Sequence, residues 1–279
     1  MTVPRFDVAR VAQLIRDVAA AEITPRFRSL AADEVREKKP GDFVTVADES
    51  AERALIPGLQ ALLPGSIAIG EEAITVDPEL LRHLDHAERP VWVIDPVDGT
   101  VNFAHGRPLF AVLVALVVGG RTVAGWIHDP LTDAMAVAEV GSGAWDGERR
   151  LRVAEPVAPE HMRGQLLARL FSHQGQYELR KQGIVFHHDA EALRCAGQEY
   201  LRLLNAEWHL TGYGRLRPWD HAAGMLIHHE AGGFSAYLAD RTPYHVGRGE
   251  GPVITAPSAE CWDALIAYFR RFAREGVTL

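Results

Sequence analysis

The amino-acid sequence predicts a layered α/β protein in which helices cover β-sheets. Short β-branched segments alternate with amphipathic segments along the chain, which is the pattern of such a fold. The chain has 279 residues, enough for one large domain or two fused ones. Its apolar fraction of 47% is sufficient for packed cores on both faces of a sheet.

The first half of the chain starts with helices. Val8 to Leu30 places apolar residues at helical spacing, with a break expected at Pro25. A short strand at Phe43–Val46 and a helix from Asp48 to Leu63 follow, and either Asp48 or Ser50 is predicted to cap this helix. These segments predict a helical layer that precedes the main sheet.

Apolar strands dominate the chain up to about residue 150. The stretches SIAIGEE and RPVWVID predict two strands that end in carboxylates. Three more strands are predicted, with turns at Gly119-Gly120, near Asp129-Pro130 and at Gly141–Gly147. Beyond residue 150 short helical and strand segments alternate, and the last helix follows Ser258. We therefore expect an N-terminal α+β domain at 1–150 and a smaller α/β domain at 151–279.

Composition argues against several classes of partner. The net charge is −8 and no basic run is present, so phosphate contacts to a nucleic acid are not expected. Cys195 and Cys261 form no C-x-x-C pair, so neither a disulfide framework nor a zinc site is expected. This cysteine usage fits a reducing cytoplasm.

The longest apolar run, Leu109 to Val118, is half of the ~20 residues that a membrane span needs. Charges in the first 23 residues predict no signal peptide. The adjacent pairs His187-His188 and His228-His229 are expected at surface or interface positions.

Acidic residues follow or flank three apolar elements. Asp95 and Asp98 come after the apolar stretch WVI, and Pro96 is expected to end that strand. Glu71 and Glu72 end a second strand, and Asp220 lies at the start of a small-residue helix. Buried carboxylates repel one another unless a cation offsets their charge, and oxygen ligands favour Mg²⁺, Ca²⁺ or Mn²⁺. A solvated acidic turn, charged loops and a helix cap at Asp220 are the alternatives.

Four motifs in order carry a resemblance. The stretches DFVTVAD, GEE, DPVDGTVNF and WDHAAG…EAGG together resemble the inositol monophosphatase family. That family belongs to the lithium-sensitive, magnesium-dependent phosphatases, and the resemblance covers nearly the whole chain. It implies the sugar-phosphatase fold, an αβαβα sandwich of alternating helix and sheet layers. It also implies a cytoplasmic homodimer that lithium inhibits.

The resemblance assigns metal ligands by position. Glu71 and Asp95 are implied to hold one metal, together with the backbone carbonyl of Val97. Asp95, Asp98 and Asp220 are implied to hold a second, and a weaker third site shares Glu71 and water. The implied cofactor is Mg²⁺, two or three ions per site, with Mn²⁺ as a substitute.

The implied reaction is hydrolysis of a small phosphate monoester by a metal-activated water. Thr100, with Asp48 as its partner, resembles the pair that orients the water, and Glu71 acts with them through the weaker metal site. The backbone N–H groups of Gly99 and Thr100 are expected to face the phosphate. The residues implied at the substrate and its phosphate are Gly99, Thr100, Asp98, Tyr213 and Asp220.

Two segments depart from the family pattern at the alcohol part of the substrate. RCAGQEY at 194–200 stands where R-S-x-G-S-x-A is usual, and Tyr213 stands where a Glu is usual. Inositol phosphate, histidinol phosphate, fructose 1,6-bisphosphate and phosphoadenosine nucleotides therefore all stay open as substrates. Arg215 and Arg217 suggest a more anionic substrate or a different polyol. Lys38 or Lys39 stands where the family carries Lys before D-x-V-T.

Two rivals come from other classes. An aspartyl-phosphate phosphatase of the haloacid dehalogenase type has aspartates two apart, whereas Asp95 and Asp98 are three apart. A regulatory or binding protein on the same fold would have lost turnover, whereas every matched metal and water-orienting residue is present here.

Overall fold

The computed structural model describes residues 5–85, 89–277 and 279. Helix α1 spans Val8–Val18, and the Asp7 side chain caps it by accepting from the Arg10 N–H. A π turn over Ala19–Ile23 and a 3₁₀ turn over Thr24–Arg26 continue it. The helical segment thus ends before the predicted Leu30, because Pro25 lies in the last turn. Residues 1–4 belong to the N-terminal stretch for which no signal peptide is predicted, and they lie outside the described residues.

A two-stranded hairpin precedes the second helix. Strand β1 spans Val35–Lys39 and pairs antiparallel with β2, Asp42–Thr45. Helix α2 spans Val46–Leu62, and Thr45 is its N-cap. The predicted cap at Asp48 or Ser50 is wrong: Asp48 is the third residue of a capping box and accepts from the Thr45 N–H.

The main sheet has seven strands within the described residues, in the order β3-β4-β5-β6-β7-β8-β9. Strands β3 and β4 are parallel and the other neighbours are antiparallel. The segment Gly141–Gly147, predicted as a turn, contains β8. The elements are β3 Ile67–Gly70, α3 Glu71–Val76, a 3₁₀ helix Pro78–Asp85, β4 Val91–Asp98, α4 Thr100–Ala104, β5 Ala111–Val118, β6 Arg121–Asp129, β7 Ala134–Glu139, β8 Gly143–Asp146 and β9 Arg149–Arg150.

A β-bulge in β4 sets the direction of two carboxylates. Asp95 pairs with Leu113 and Asp98 pairs with Ala111, so β4 advances three residues while β5 advances two. Without the extra residue, side chains three apart would point to opposite faces of the sheet. The bulge therefore brings Asp95 and Asp98 to one face. Pro96 does not end the strand as predicted. It lies inside the bulge, where its missing N–H costs no ladder hydrogen bond.

A second sheet has five strands in the described part of the chain, in the order β11-β10-β12-β14-β13. Its first three strands are parallel, and β14 pairs antiparallel with β12 and β13. The last helix begins directly after Ser258, as predicted, and Ser258 is its N-cap. The elements are β10 Gly164–Leu166, α5 His173–Lys181, β11 Ile184–Phe186, α6 Ala196–Leu204, β12 Leu210–Arg215, α7 Pro218–Glu230, β13 Phe234–Tyr237, β14 Glu250–Ala256 and α8 Ala259–Phe269.

In the described residues, three buried cores hold five layers together. The first core joins α1 and α2 to the main sheet. The second extends over both sides of the α6–α7 layer, between the main sheet and the smaller sheet. The third joins the smaller sheet to α8. This is the predicted αβαβα arrangement. Across the described residues, no helix combines the length and apolar character that crossing a membrane requires.

Candidate active site

The predicted acidic residues meet at the carboxyl ends of two parallel strands. Gly70 pairs with Ile94, so Glu71 and Asp95 leave neighbouring strands at the same edge of the sheet. Asp220 reaches the same place from the first turn of α7. Ligands in α/β proteins commonly bind at such carboxyl ends.

These residues line a cavity of about 490 Å³. Glu71, Asp95, Asp98 and Asp220 surround it, and the tip of the β1–β2 hairpin contributes Gly41 and neighbouring residues. Gly99 and Thr100 form part of its wall at the start of α4. Of the remaining predicted site residues, Asp48 and Val97 contact Thr100, and Tyr213 lines a second cavity.

Helix α6 holds Asp98 from the other side. The Gly197 N–H donates to Asp98 Oδ2 at 2.5 Å, and the Cys195 thiol lies 3.1 Å from the same oxygen. Gly99 has a φ of 86°, and a Cβ there would come within 2.7 Å of the Leu109 carbonyl oxygen. Glycine is therefore required at this position for both conformation and space.

Thr100 and Asp48 form the predicted pair. The Thr100 hydroxyl lies 3.1 Å from Asp48 Oδ1 and 3.0 Å from the Val97 carbonyl oxygen. Asp48 Oδ2 accepts from the Thr45 hydroxyl at 2.6 Å and from the Thr45 N–H at 2.8 Å. One buried carboxylate thus completes the capping box of α2 and also contacts the site. Burial raises the pKa of Asp48 to about 7, although the hydrogen bonds from Thr45 lower it.

Burial and mutual repulsion dominate the electrostatics of the acidic residues. Burial raises the pKa of Asp95 well above its ordinary value, and neighbouring carboxylates raise it further. Burial also raises the pKa of Asp220, with added repulsion from Glu71 and Asp98. The pKa of Asp98 is raised by burial too, against hydrogen bonds from α6 that lower it. The cluster is therefore short of positive charge.

Among the described residues, two cations form ion pairs with the cluster, both at Glu71. Lys38 Nζ lies 3.4 Å from Glu71 Oε1 and 2.9 Å from Glu72 Oε1, and Arg217 Nη1 lies 3.8 Å from Glu71 Oε1. Burial raises the pKa of Glu71 to about 7, although Lys38 lowers it. Burial lowers the pKa of Lys38, but the charges of Glu71 and Glu72 reverse this and leave it raised. Of the two lysines considered, Lys38 is the one at the site.

The donor set fits a hard divalent cation. Carboxylate oxygens from three elements converge and burial raises their pKa values, while the ion pairs found among the described residues involve Glu71 and not the three aspartates. A divalent ion would supply the missing charge with ligands of the type that Mg²⁺ prefers. Over the described residues, no three acidic, histidine or cysteine side chains stand close enough to enclose an ion as the side chains are placed.

A second cavity of about 370 Å³ adjoins the first. Tyr213 lines it, together with residues that sequence reasoning did not assign to a site: Arg169, His187 and Glu199. For Glu199, the sequence feature that could have indicated a role is the departure from the family pattern at 194–200. Arg169 and His187 come from distant segments without a motif.

One member of each histidine pair departs from the predicted surface position, whereas His188 and His229 are exposed as predicted. His228 is fully buried on α7, and neither ring nitrogen has a hydrogen-bond partner in the described part of the chain. Burial lowers the pKa of His228 to about 3. His187 is half-buried, with Nε2 2.8 Å from the Gly212 carbonyl oxygen. The expectation of surface positions is therefore wrong for these two. His221 lines the second cavity, but its nitrogens contact the Tyr200 hydroxyl and the Arg215 carbonyl oxygen.

Comparison with known proteins is consistent across three kinds of match. A model described as the inositol monophosphatase family matches residues 6–269. An inositol-1-monophosphatase of Mesorhizobium japonicum is 36% identical over 210 residues, 71% of this chain and 73% of that protein. A Nus factor SuhB of Vibrio cholerae is 31% identical over 214 residues, 75% of this chain and 76% of that protein. The solved Thermotoga maritima IMPase has a TM-score of 0.72 and 25% identity, covering 93% of this chain and 96% of that one.

The layered fold and the acidic cavity, together with these matches, define a phosphoric monoester hydrolase. Phosphatases of this kind act on small phosphate monoesters. The chain belongs to the inositol monophosphatase family, since the family match spans nearly its whole length. The predicted resemblance is thereby confirmed, and the haloacid dehalogenase rival is set aside.

Proposed function

We propose that this protein hydrolyses a small phosphate monoester, an inositol phosphate or a related sugar or polyol phosphate, by water attack in the acidic cavity. The observation that carries the proposal is the bulge in β4, which turns Asp95 and Asp98 to one face beside Glu71 and Asp220. Such a cluster of carboxylates suits metal-assisted phosphoryl transfer to water. Histidinol phosphate, fructose 1,6-bisphosphate and phosphoadenosine nucleotides remain alternative substrates.

The proposed metal ligands are the carboxylates of Glu71, Asp95, Asp98 and Asp220 and the carbonyl oxygen of Val97. When bound, Mg²⁺ would lower the pKa of a coordinated water and offset the charge of the phosphoryl oxygens. Mn²⁺ is the expected substitute, with two or three ions per site.

The chain's own residues would orient the water and receive its proton. Thr100 lines the cavity and its hydroxyl contacts Asp48, so a water beside Thr100 can pass a proton towards that carboxylate. Asp48 suits this role because burial raises its pKa to about 7, close to the pH at which a general base works best. The backbone at Gly99 and Thr100 is proposed to face the phosphate, with Asp98 and Asp220 at the transferred group and Tyr213 at the leaving group.

The direct test is phosphate release from a panel of phosphomonoesters with Mg²⁺, with Mn²⁺ and with excess chelator. We expect turnover with either metal and a loss of at least about 100-fold in chelator, because carboxylates alone cannot offset the phosphoryl charge. Asp220→Asn should lose a similar factor with Mg²⁺. Asp17→Asn, an exposed acid on α1, is the matched control and should keep full activity. Undiminished turnover in chelator would contradict the proposal.

A homodimer and a cytoplasmic location follow from the family resemblance and stay proposals of the same kind. Sedimentation of the purified protein at micromolar concentration would test the first. The division at about residue 150 also stays a proposal, and separate expression of 1–150 and 151–279 would test it.

A further inference from the structure

The second cavity lies where a leaving group would extend from the first. The two cavities share walls made by Asp98, Asp220, Arg194 and Arg215. If the proposed function holds and a phosphate ester bond lies among the carboxylates, the rest of the substrate has the 370 Å³ cavity beside it. What lines this cavity therefore decides which esters are accepted.

A buried hydrogen-bond chain fixes the base of this cavity. The His187 Nε2–H faces the Gly212 carbonyl oxygen at 2.8 Å, which leaves His187 Nδ1 as the acceptor for Gln165 Nε2 at 3.0 Å. The same Gln165 amide donates to Glu199 Oε1 at 2.6 Å, and its oxygen accepts from the Leu193 N–H at 3.1 Å. Every group in this chain thus has a defined role, and one oxygen of Glu199 is held in place.

Two buried polar groups at this base are incompletely paired. Glu199 and Tyr213 line the cavity, and the Tyr213 hydroxyl interacts with the Glu199 carboxyl and lowers its pKa. Within the described residues, neither Glu199 Oε2 nor the Tyr213 hydroxyl forms a hydrogen bond of good geometry. Buried polar groups in native proteins are normally well paired, so these two groups can also bind a hydroxyl of a ligand in the cavity. Burial raises the pKa of Glu199 to about 8, so its carboxyl can carry a proton and donate as well as accept.

Three arginines surround the opening of the cavity. Arg169, Arg194 and Arg215 line it, and over the described part of the chain their guanidinium groups form no ion pair or hydrogen bond. Gly214 makes room for one of them, because a Cβ there would collide with the Arg169 guanidinium. Arg194 has a φ of 52°, a backbone conformation that side chains seldom adopt. Unpaired guanidinium groups are suited to bind anionic oxygens in bidentate geometry.

We propose that the second cavity binds the leaving group of the substrate, and that this leaving group carries an anionic group of its own. Arg169, with Arg194 and Arg215, binds the anionic oxygens at the opening. Glu199 and Tyr213 bind a hydroxyl of the leaving group at the base. The ligand class is therefore a polyol or sugar phosphate with a second acidic group, either a carboxylate or another phosphate.

Matched substrate pairs test this specificity. The first pair is 2-phosphoglycerate against glycerol 2-phosphate, which differ by a carboxylate in place of a hydroxymethyl group. The second pair is fructose 1,6-bisphosphate against fructose 1-phosphate, which differ by a phosphate. We expect kcat/KM of the native protein with Mg²⁺ to favour the anionic member of at least one pair by about tenfold or more. The pair that shows the preference identifies carboxylate or phosphate as the group bound.

Arg169 is the decisive residue, because it lines the second cavity and not the first. Arg169→Ala should reduce the preference for the anionic member by about tenfold, mainly through KM, and Arg169→Lys should restore part of it. Gly214→Ala displaces the guanidinium without removing its charge and should also reduce the preference. Arg152→Ala, an exposed arginine outside both cavities, is the control that should leave the preference unchanged.

The outcomes separate this inference from the proposed function. Absence of phosphate release from every ester would refute the proposed function itself. Turnover of both members of each pair without preference, or an equal loss for both members in Arg169→Ala, would overturn only the anionic subsite. Thermal midpoints of the variants within a few degrees of the native protein show that the kinetic changes do not arise from unfolding.

Discussion

The acidic cavity makes the stability of the metal-free protein depend on pH in a direction that can be worked out. Burial raises the pKa of Asp48 from 3.8 to about 7. Between these values the folded protein retains the proton and the unfolded chain has lost it. The contribution of this proton to the free energy of unfolding is fully present below about pH 4 and is lost as the pH rises through about 7. Raising the pH should therefore destabilise the protein in chelator.

The size of the loss in unfolding free energy follows from the raised pKa values of Asp48 and Glu71. The change for Asp48 is about 3 pH units, and each unit corresponds to about 1.4 kcal/mol, so about 4 kcal/mol of stability is lost above pH 7. Glu71, raised from 4.5 to about 7, adds up to about 3 kcal/mol by the same reasoning. Mg²⁺ binding should return about 2.7 kcal/mol at 100 times its dissociation constant.

The assay is urea unfolding at about pH 5 and about pH 8, each in chelator and in excess Mg²⁺. In chelator the free energy of unfolding should be lower at the higher pH by several kcal/mol. Mg²⁺ should stabilise strongly at about pH 8 and weakly at about pH 5, because protons compete with the metal for the carboxylates.

Two variants sharpen this test. Asp95→Asn removes one uncompensated buried carboxylate, so the metal-free variant should be more stable than the native protein at about pH 8, and its gain from Mg²⁺ should shrink. Glu148→Gln, an exposed acid, should change neither quantity. A metal-free protein whose stability rises with pH, or an equal Mg²⁺ effect at both pH values, would refute the reasoning.

Three further measurements test other parts of the structure. Thr100→Val should lower kcat by about 100-fold, because it removes the hydroxyl that contacts Asp48, while Thr100→Ser should retain most activity; equal kcat in both would remove the proposed role. Lithium at about ten millimolar should inhibit competitively with Mg²⁺ in steady-state assays, as expected for a weak ion site, and insensitivity would count against the third metal position. His228→Leu should raise the free energy of unfolding by about 1–2 kcal/mol in urea titrations, since both buried nitrogens are unpaired, whereas the exposed His229→Leu should be neutral; a loss of stability would show that His228 has an unseen partner.

The sequence was most informative where chemistry and spacing coincide. Carboxylates at the ends of apolar strands predicted that Glu71 and Asp95 would meet, because parallel strands end at a common edge. Asp98 and Asp220 joined them as the motif order implied. The α/β class followed from the periodicity of the segments, since strand and helix patterns differ over short windows, whereas the αβαβα layering came from the family resemblance.

Features that depend on distant segments could not be predicted. The chain from His187 through Gln165 to Glu199 links three segments that share no local pattern. The strand at Gly143–Asp146 was missed because its glycine-rich flanks indicate a turn, whereas pairing with β7 decides its conformation. The Pro96 bulge was missed because a proline ends a strand by the local rule, and only the partner strand shows the extra residue.

The hydrogen bond from the Gly197 N–H to Asp98 joins the last residue of β4 in the first half of the chain to the first turn of α6 in the second half. Catalytic competence therefore reports on tertiary assembly: a chain cut near residue 150 into two pieces would regain turnover only when the pieces reassociate. Recovery of phosphate release after mixing such fragments would then serve as a sensitive readout of docking between the two halves, measured at concentrations where spectroscopic signals are too weak.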